Sequence, residues 1–140
     1  MNKQDRLILV DSSLWIVALK TNCPETIQEL VGDLLEKDIV ATCGLIVVEI
    51  LQGCKNKKEY NELSEELNSL HYLETNKEVW NTGAKLAYSL RRKGITIPSV
   101  DLWIASLAIY YDMTLYHSDH HFEMIADNSS INSKQITVGI

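Results

Sequence analysis

Four carboxylates stand at unusual places in this chain: Asp11 closes the apolar run at 7–10, Glu49 lies inside GLIVVEIL, Asp101 inside PSVDLWIASLAIYY, and Asp119 inside TLYHSDHHF. Taken singly, three of them have ordinary roles open to them. Asp11 could cap a helix, Asp101 could face a helix dipole from its first turn, and Asp119 could begin a turn. Glu49 is harder to place, because Ile46, Val47, Val48, Ile50 and Leu51 surround it and a lone carboxylate among apolar side chains is costly without a partner. If the four meet, they repel one another and raise one another's pKa values unless a divalent cation neutralises them. Oxygen-only ligation points to Mg²⁺ or Mn²⁺ in preference to zinc, since no Cys or His group has zinc-ligand spacing. Such a cation activates water and clamps phosphoryl oxygens, which is nuclease chemistry.

For the acids to meet, the elements around them must end at one rim. The run at 7–10 reads as a strand buried on both faces. Ser12 and Ser13 can cap a helix that Leu14, Ile16, Val17 and Ala18 carry to about Lys20. A second helix is predicted at 25–37, with Ile27, Leu30, Val31, Leu34 and Leu35 at helical spacing. Residues 39–41 are a second strand, and 45–51 a helix that ends before Gly53. An exposed helix follows at 57–68 and a strand at 70–73. The longest helical pattern, 76–93, turns Val79, Trp80, Ala84, Leu86, Ala87 and Leu90 inward and stops at Gly94. Pro98 and Ser99 introduce a helix at 100–111; a strand at 114–117, a short helix at 122–126 and a last strand at 135–138 complete the chain. This alternation predicts an α/β fold, a three-layer α/β/α sandwich with a central, mainly parallel sheet. Asp11 and Asp119 then leave the carboxyl ends of two strands, where such sheets collect their chemistry.

The 140 residues suit a single domain over 1–140, and 46% hydrophobic against 23% charged residues is ordinary globular composition. No apolar run reaches the ~18 residues of a membrane helix, and no small-residue cleavage site follows the short run at 7–10, so a soluble, cytoplasmic protein is expected. Cys23, Cys43 and Cys54 lack CxxC spacing and read as free thiols. The net charge of −6 argues at first against a polyanionic partner. Residues 55–93, however, hold eight of the thirteen basic residues against six acids, and a cation in the acidic site would bridge it to phosphate.

The segments ILVDSSLWIVAL, VVEILQG, PSVDLWIASLAIYY and LYHSDHHFEMIA resemble, in order, the four motifs of PIN-domain ribonucleases, closest to the VapC-type toxins of toxin–antitoxin pairs. The resemblance spans residues 7–138. It implies a PIN-like fold, with Asp11, Glu49, Asp101 and Asp119 as the catalytic, metal-holding acids. The hydroxyl beside the first acid falls on Ser12 or Ser13, with Ser13 the better match. The family often has Thr two residues before the last acid; here His117 takes that supporting position. Also implied are Mg²⁺- or Mn²⁺-dependent cleavage of RNA, a homodimer, and a small antitoxin whose tail fills the active-site groove.

Other residues carry weaker signals. His117, His120 and His121 cluster around Asp119 and invite a metal reading, but the family uses these positions for support. His71 reads as structural. Lys55, Lys57 and Lys58, interleaved with glutamates, form a solvated face, whereas Arg91, Arg92 and Lys93 could contact RNA phosphates. Trp15, Trp80 and Trp103 belong to the core or a dimer interface rather than to base stacking. Two rivals stand beside the ribonuclease. A response-regulator-type phospho-acceptor needs an acidic pair after its first strand, but Asp11 stands alone there. A catalytically silent PIN module would not need all four acids.

Overall fold

The computed structural model describes residues 7–137. In chain order the elements are β1 (Ile8–Val10), α1 (Ser12–Ala18), α2 (Glu25–Glu36), β2 (Val40–Thr42), α3 (Gly44–Leu51), α4 (Lys57–Asn68) and β3 (His71–Tyr72). They continue with α5 (Lys77–Arg92), α6 (Ser99–Tyr110), β4 (Thr114–His117), α7 (His120–Ala126) and β5 (Asn132–Gln135). The strands form one sheet in the order β3-β2-β1-β4-β5, and every pairing in it is parallel.

The chain winds outward from β1 through β2 to β3, then crosses back to build β4 and β5 on the other side of β1. Where winding reverses, adjacent strands send their connections apart and leave a crevice beyond their carboxyl ends. That crevice lies between β1 and β4. Right-handed crossovers in the two directions put their helices on opposite faces. Accordingly α1 packs on α2 and α3, and α3 on α4, while α5 packs on α6 and α6 on α7. The order also separates this sheet from the response-regulator arrangement 2-1-3-4-5, in which the third strand lies beside the first. Here β3 is an edge strand paired to β2.

Leu9, Leu14, Ile46, Ile104, Leu115 and Phe122 have no exposed surface and form the centre of the core between sheet and helices. Both edges are blunted. At one end β3 is two residues long, and at the other β5 has the polar sequence NSKQ. Three helices stop alike, with Asp38 (φ 56), Gly94 (φ 76) and Asp112 (φ 52) in the left-handed region. The next amide bonds back to close each helix: Ile39 to the Leu34 carbonyl, Ile95 to Leu90 and Met113 to Ala108. Two of these turns deliver the chain into β2 and β4, so they help to set where those strands begin.

The structure corrects two sequence readings. The last strand is Asn132–Gln135 rather than 135–138; it pairs Asn132 with Thr114 through Gln135 with His117, and Val138 lies outside the described residues. An edge strand needs only one partner ladder, so its polar sequence escapes a search for apolar runs. On α5, Trp80 is 44% exposed and Ala84 is exposed rather than inward. Trp80 packs edge-on against Trp103 with ring centroids 5.2 Å apart. The inward stripe of that helix is instead Val79, Gly83, Leu86 and Leu90.

Gly83 marks the close approach of α5 to α6, the helix that carries Asp101: a Cβ there would stand 2.9 Å from Ser106 Oγ. That hydroxyl donates to the Leu102 carbonyl at 2.6 Å and is buried. Gly83→Ala is therefore expected to destabilise the protein by about 1 kcal/mol or more, although helix propensity alone favours alanine. Urea unfolding checks this, and Gly83→Ala combined with Ser106→Ala should recover most of the loss.

Candidate active site

Asp11 follows the last residue of β1, and its amide extends the ladder by donating to the Tyr116 carbonyl at 2.9 Å. Its side chain caps α1, accepting from the Ser13 amide at 3.0 Å, and it is only 2% exposed. Asp119 repeats the arrangement beyond β4: it caps α7 by accepting from the His121 amide at 2.9 Å. Two strand ends and two helix N-termini thus place one carboxylate each in the β1/β4 crevice, with the positive helix ends toward the acids. Glu49 enters from α3 and accepts a 3.0 Å hydrogen bond from Ser12 Oγ. Asp101 lies in the first turn of α6.

The four acids feel one another. Burial, above all, raises the Asp11 carboxyl above its ordinary pKa; amide and hydroxyl donors at Ser13 and Ser12 oppose this, and Asp119 adds to it. Glu49 is also raised, first by burial and then by Asp11 and Asp119, against the Ser12 hydrogen bond. Asp101 is pushed up to about 6, by burial first and then by the charges of Asp119 and Asp11, with His121 working the other way. Glu49 is half-buried rather than sealed in, because only Ile46 and Ile50 of α3 are buried while Val48 is 63% exposed. The apolar run around it serves a helix with one face on the core.

Both serines next to Asp11 are engaged. Ser12 Oγ belongs to the acidic group through Glu49, whereas Ser13 Oγ accepts from the Ser118 amide at 2.9 Å and ties α1 to the end of β4. His117 is fully buried, and its ring lies tilted against Phe122 with centroids 5.0 Å apart. The Asp119 amide donates to its Nδ1 at 3.2 Å. Burial lowers the pKa of His117, outweighing Glu123 and the site acids, so the ring stays neutral and its Nδ1 stays an acceptor. His117 therefore fixes the turn that presents Asp119.

His121 is the residue whose place the sequence did not reveal. Its Nδ1 stands 3.0 Å from Asp101 Oδ2 and 3.2 Å from Asp119 Oδ1, joining α6 to α7 across the crevice. Spacing alone could not show this, since Asp101 and His121 lie twenty positions apart on different helices. Asp119, His120 and His121 together bring ligand atoms within 4.8 Å of one another. Other candidates fall outside this group. His71 pins edge strand β3 to the turn before β2 through the Asp38 carbonyl at 2.8 Å. Arg92 lies over the Tyr88 ring at 5.3 Å, and Lys93 Nζ donates to the Asn128 carbonyl at 3.3 Å.

Glu49 also lines a groove of roughly 780 Å³ between α1, α3 and α4. Its apolar lining is Ile16, Leu19, Ile50 and Leu63, and Glu59, Glu62 and Glu66 of α4 border it together with Lys20 and Lys55. Ile16 and Leu19 are each 46% exposed, an open apolar strip leading to the acids. Among the described residues, no helix is long and apolar enough to cross a membrane, and Cys23, Cys43 and Cys54 are free thiols.

The family model for the PIN domain matches residues 8–128. A VapC ribonuclease of Mycobacterium bovis is 29% identical over 123 residues, covering 86% of this chain and 92% of that protein. Among solved structures, VapBC2 of Rickettsia felis, bound to a DNA fragment from its promoter, superposes with a TM-score of 0.77 at 20% identity. That match covers 94% of this chain and 99% of the other. VapBC-5 of Mycobacterium tuberculosis, a member of the VapBC family of toxin–antitoxin systems, gives 0.64 at 18% identity, covering 91% and 97%.

A carboxyl whose pKa is higher in the folded than in the unfolded chain binds more protons when folded. Its contribution is present below the unfolded value and is lost as pH rises through the folded value, here about 6 for Asp101. In EDTA, Asp101→Asn should therefore melt higher than the native protein near pH 7.5, by about 3 °C or more. The gap should narrow as pH falls below about 6 and close only near the unfolded value of 3.8, as thermal melts across that range will read.

Proposed function

The chain belongs to the PIN-domain family, and from that premise we propose that it is a metal-dependent endoribonuclease of the VapC type, the toxin of a toxin–antitoxin pair, with its single domain over 1–140 carrying the activity. The observation that carries this reading is the convergence of Asp11, Glu49, Asp101 and Asp119 on the crevice at the β1/β4 reversal, three of them with raised pKa values. A site that holds repelling carboxylates at their own cost fits a cation.

Asp11, Glu49, Asp101 and Asp119 would hold Mg²⁺ or Mn²⁺, and the ion would supply Lewis-acid charge for phosphoryl oxygens and a lowered pKa for water. The chain's own groups do the positioning. Asp11 and Asp119 are locked by helix caps, Ser12 orients Glu49, and Ser13 and His117 hold the β4 turn. Because these contacts form without substrate, the site pays little reorganisation on binding RNA.

The partners follow from the surfaces. The groove beside Glu49 pairs an apolar lining with an acidic border, which suits an amphipathic, basic segment such as an antitoxin tail better than it suits RNA. The VapBC structures that share this fold support an antitoxin partner. A homodimer and a cytoplasmic location complete the reading.

Asp11→Asn keeps a capping oxygen and removes a charge, so it separates catalysis from folding. It should lower RNA cleavage by about a hundredfold or more, the loss expected when transition-state charge stabilisation fails, and relieve growth arrest on expression with an unchanged circular dichroism spectrum. Cleaved RNA should carry 5′-phosphate and 3′-hydroxyl ends, and EDTA should stop the reaction. Cyclic 2′,3′-phosphate ends, or full activity in EDTA, would overturn the proposal.

A further inference from the structure

We propose that His121 is a nitrogen ligand of the acidic centre, so that the site takes a first-row transition ion, Mn²⁺ or a stronger binder, in preference to Mg²⁺. The inference rests on the metal-dependent reading above and goes beyond its all-oxygen ligand set.

His121 Nδ1 is closed to solvent and has no aligned hydrogen-bond partner, although Asp101 Oδ2 and Asp119 Oδ1 stand 3.0 and 3.2 Å away. That nitrogen faces two anionic oxygens from different helices at the spacing of atoms that share one ion. The ring is also held in place. The His121 amide donates to Asp119 Oδ1 at 2.9 Å, so the cap of α7 fixes the backbone from which the imidazole projects. The His120 ring lies 4.3 Å from that of His121, but its side chain is 75% exposed and its Nδ1 is 3.7 Å from Asp119. His117 is excluded as the donor, because its Nδ1 takes the Asp119 amide, which leaves the ring proton on Nε2, and Nε2 lies 3.8 Å from Glu123.

The consequence is one of selectivity. Carboxylates and water suit Mg²⁺, whereas an imidazole ligand raises affinity along the series from Mn²⁺ toward Cu²⁺ far more than for Mg²⁺. A single nitrogen beside Asp101 and Asp119 is enough to tilt the choice.

The test is pulsed electron paramagnetic resonance of the full chain loaded with Mn²⁺, together with displacement of Mn²⁺ by Mg²⁺. Native protein should show ¹⁴N coupling to the ion. The coupling should vanish in His121→Asp, which puts an anionic oxygen donor in place of the nitrogen, and persist in His120→Ala and His117→Asn. The Mg²⁺ concentration that displaces half the Mn²⁺ should fall by about tenfold or more in His121→Asp. Bound Mn²⁺ without ¹⁴N coupling in the native protein, or coupling that survives His121→Asp, overturns the inference and leaves the oxygen-bound ion standing. Failure of Mn²⁺ to bind at all removes both. Should His121→Asp not fold, the other two variants still decide, since loss of coupling in either assigns the nitrogen elsewhere.

Discussion

The constraint on which the rest depends is electrostatic: Asp11, Glu49 and Asp101 share a crevice with Asp119, and burial together with the neighbouring negative charges disfavours the charged forms of those three. Folding alone does not reward such an arrangement. It persists because each acid is held by something else as well. Asp11 and Asp119 satisfy orphan amides at the starts of α1 and α7, and Glu49 receives the Ser12 hydroxyl. Each cap contributes about 1 kcal/mol, so the helices stabilise the carboxylates that the crevice penalises.

Topology decides where this happens. Because the sheet reverses direction at β1, the carboxyl ends of β1 and β4 are neighbours whose connections leave on opposite faces. The acids closing those strands have nowhere to be but the gap between them. Close packing of α5 on α6, allowed by Gly83, sets the helix that brings in Asp101. His121 then spans α6 and α7, and the crevice has a charged group on every side.

The net charge of −6 takes its meaning from this geography. Part of the acidity is the crevice itself, and part borders the neighbouring groove, where Glu59, Glu62 and Glu66 of α4 accompany an apolar lining. An acidic enzyme can act on a polyanion when a cation stands between them.

Much was determined by the sequence alone. Apolar runs too short for a helix read as strands covered on both faces, so β1, β2 and β4 and the parallel α/β architecture were readable, as were the helices that follow them; α4 and β4 have the predicted bounds. Glu49 stood out by its apolar surroundings, and Asp11, Asp101 and Asp119 by their places at strand ends and a helix start. Local pattern failed where a partner supplied the stability. The polar strand β5 exists through its ladder to β4, and Trp80 finds Trp103 at the surface instead of the core. Only the tertiary structure decided that Ser12 and Ser13 serve different partners, that Glu49 is half-buried on a groove, and that His121 reaches Asp101. These are contacts between residues far apart in sequence, and their existence depends on how helices are set against the sheet, which no short-range periodicity encodes.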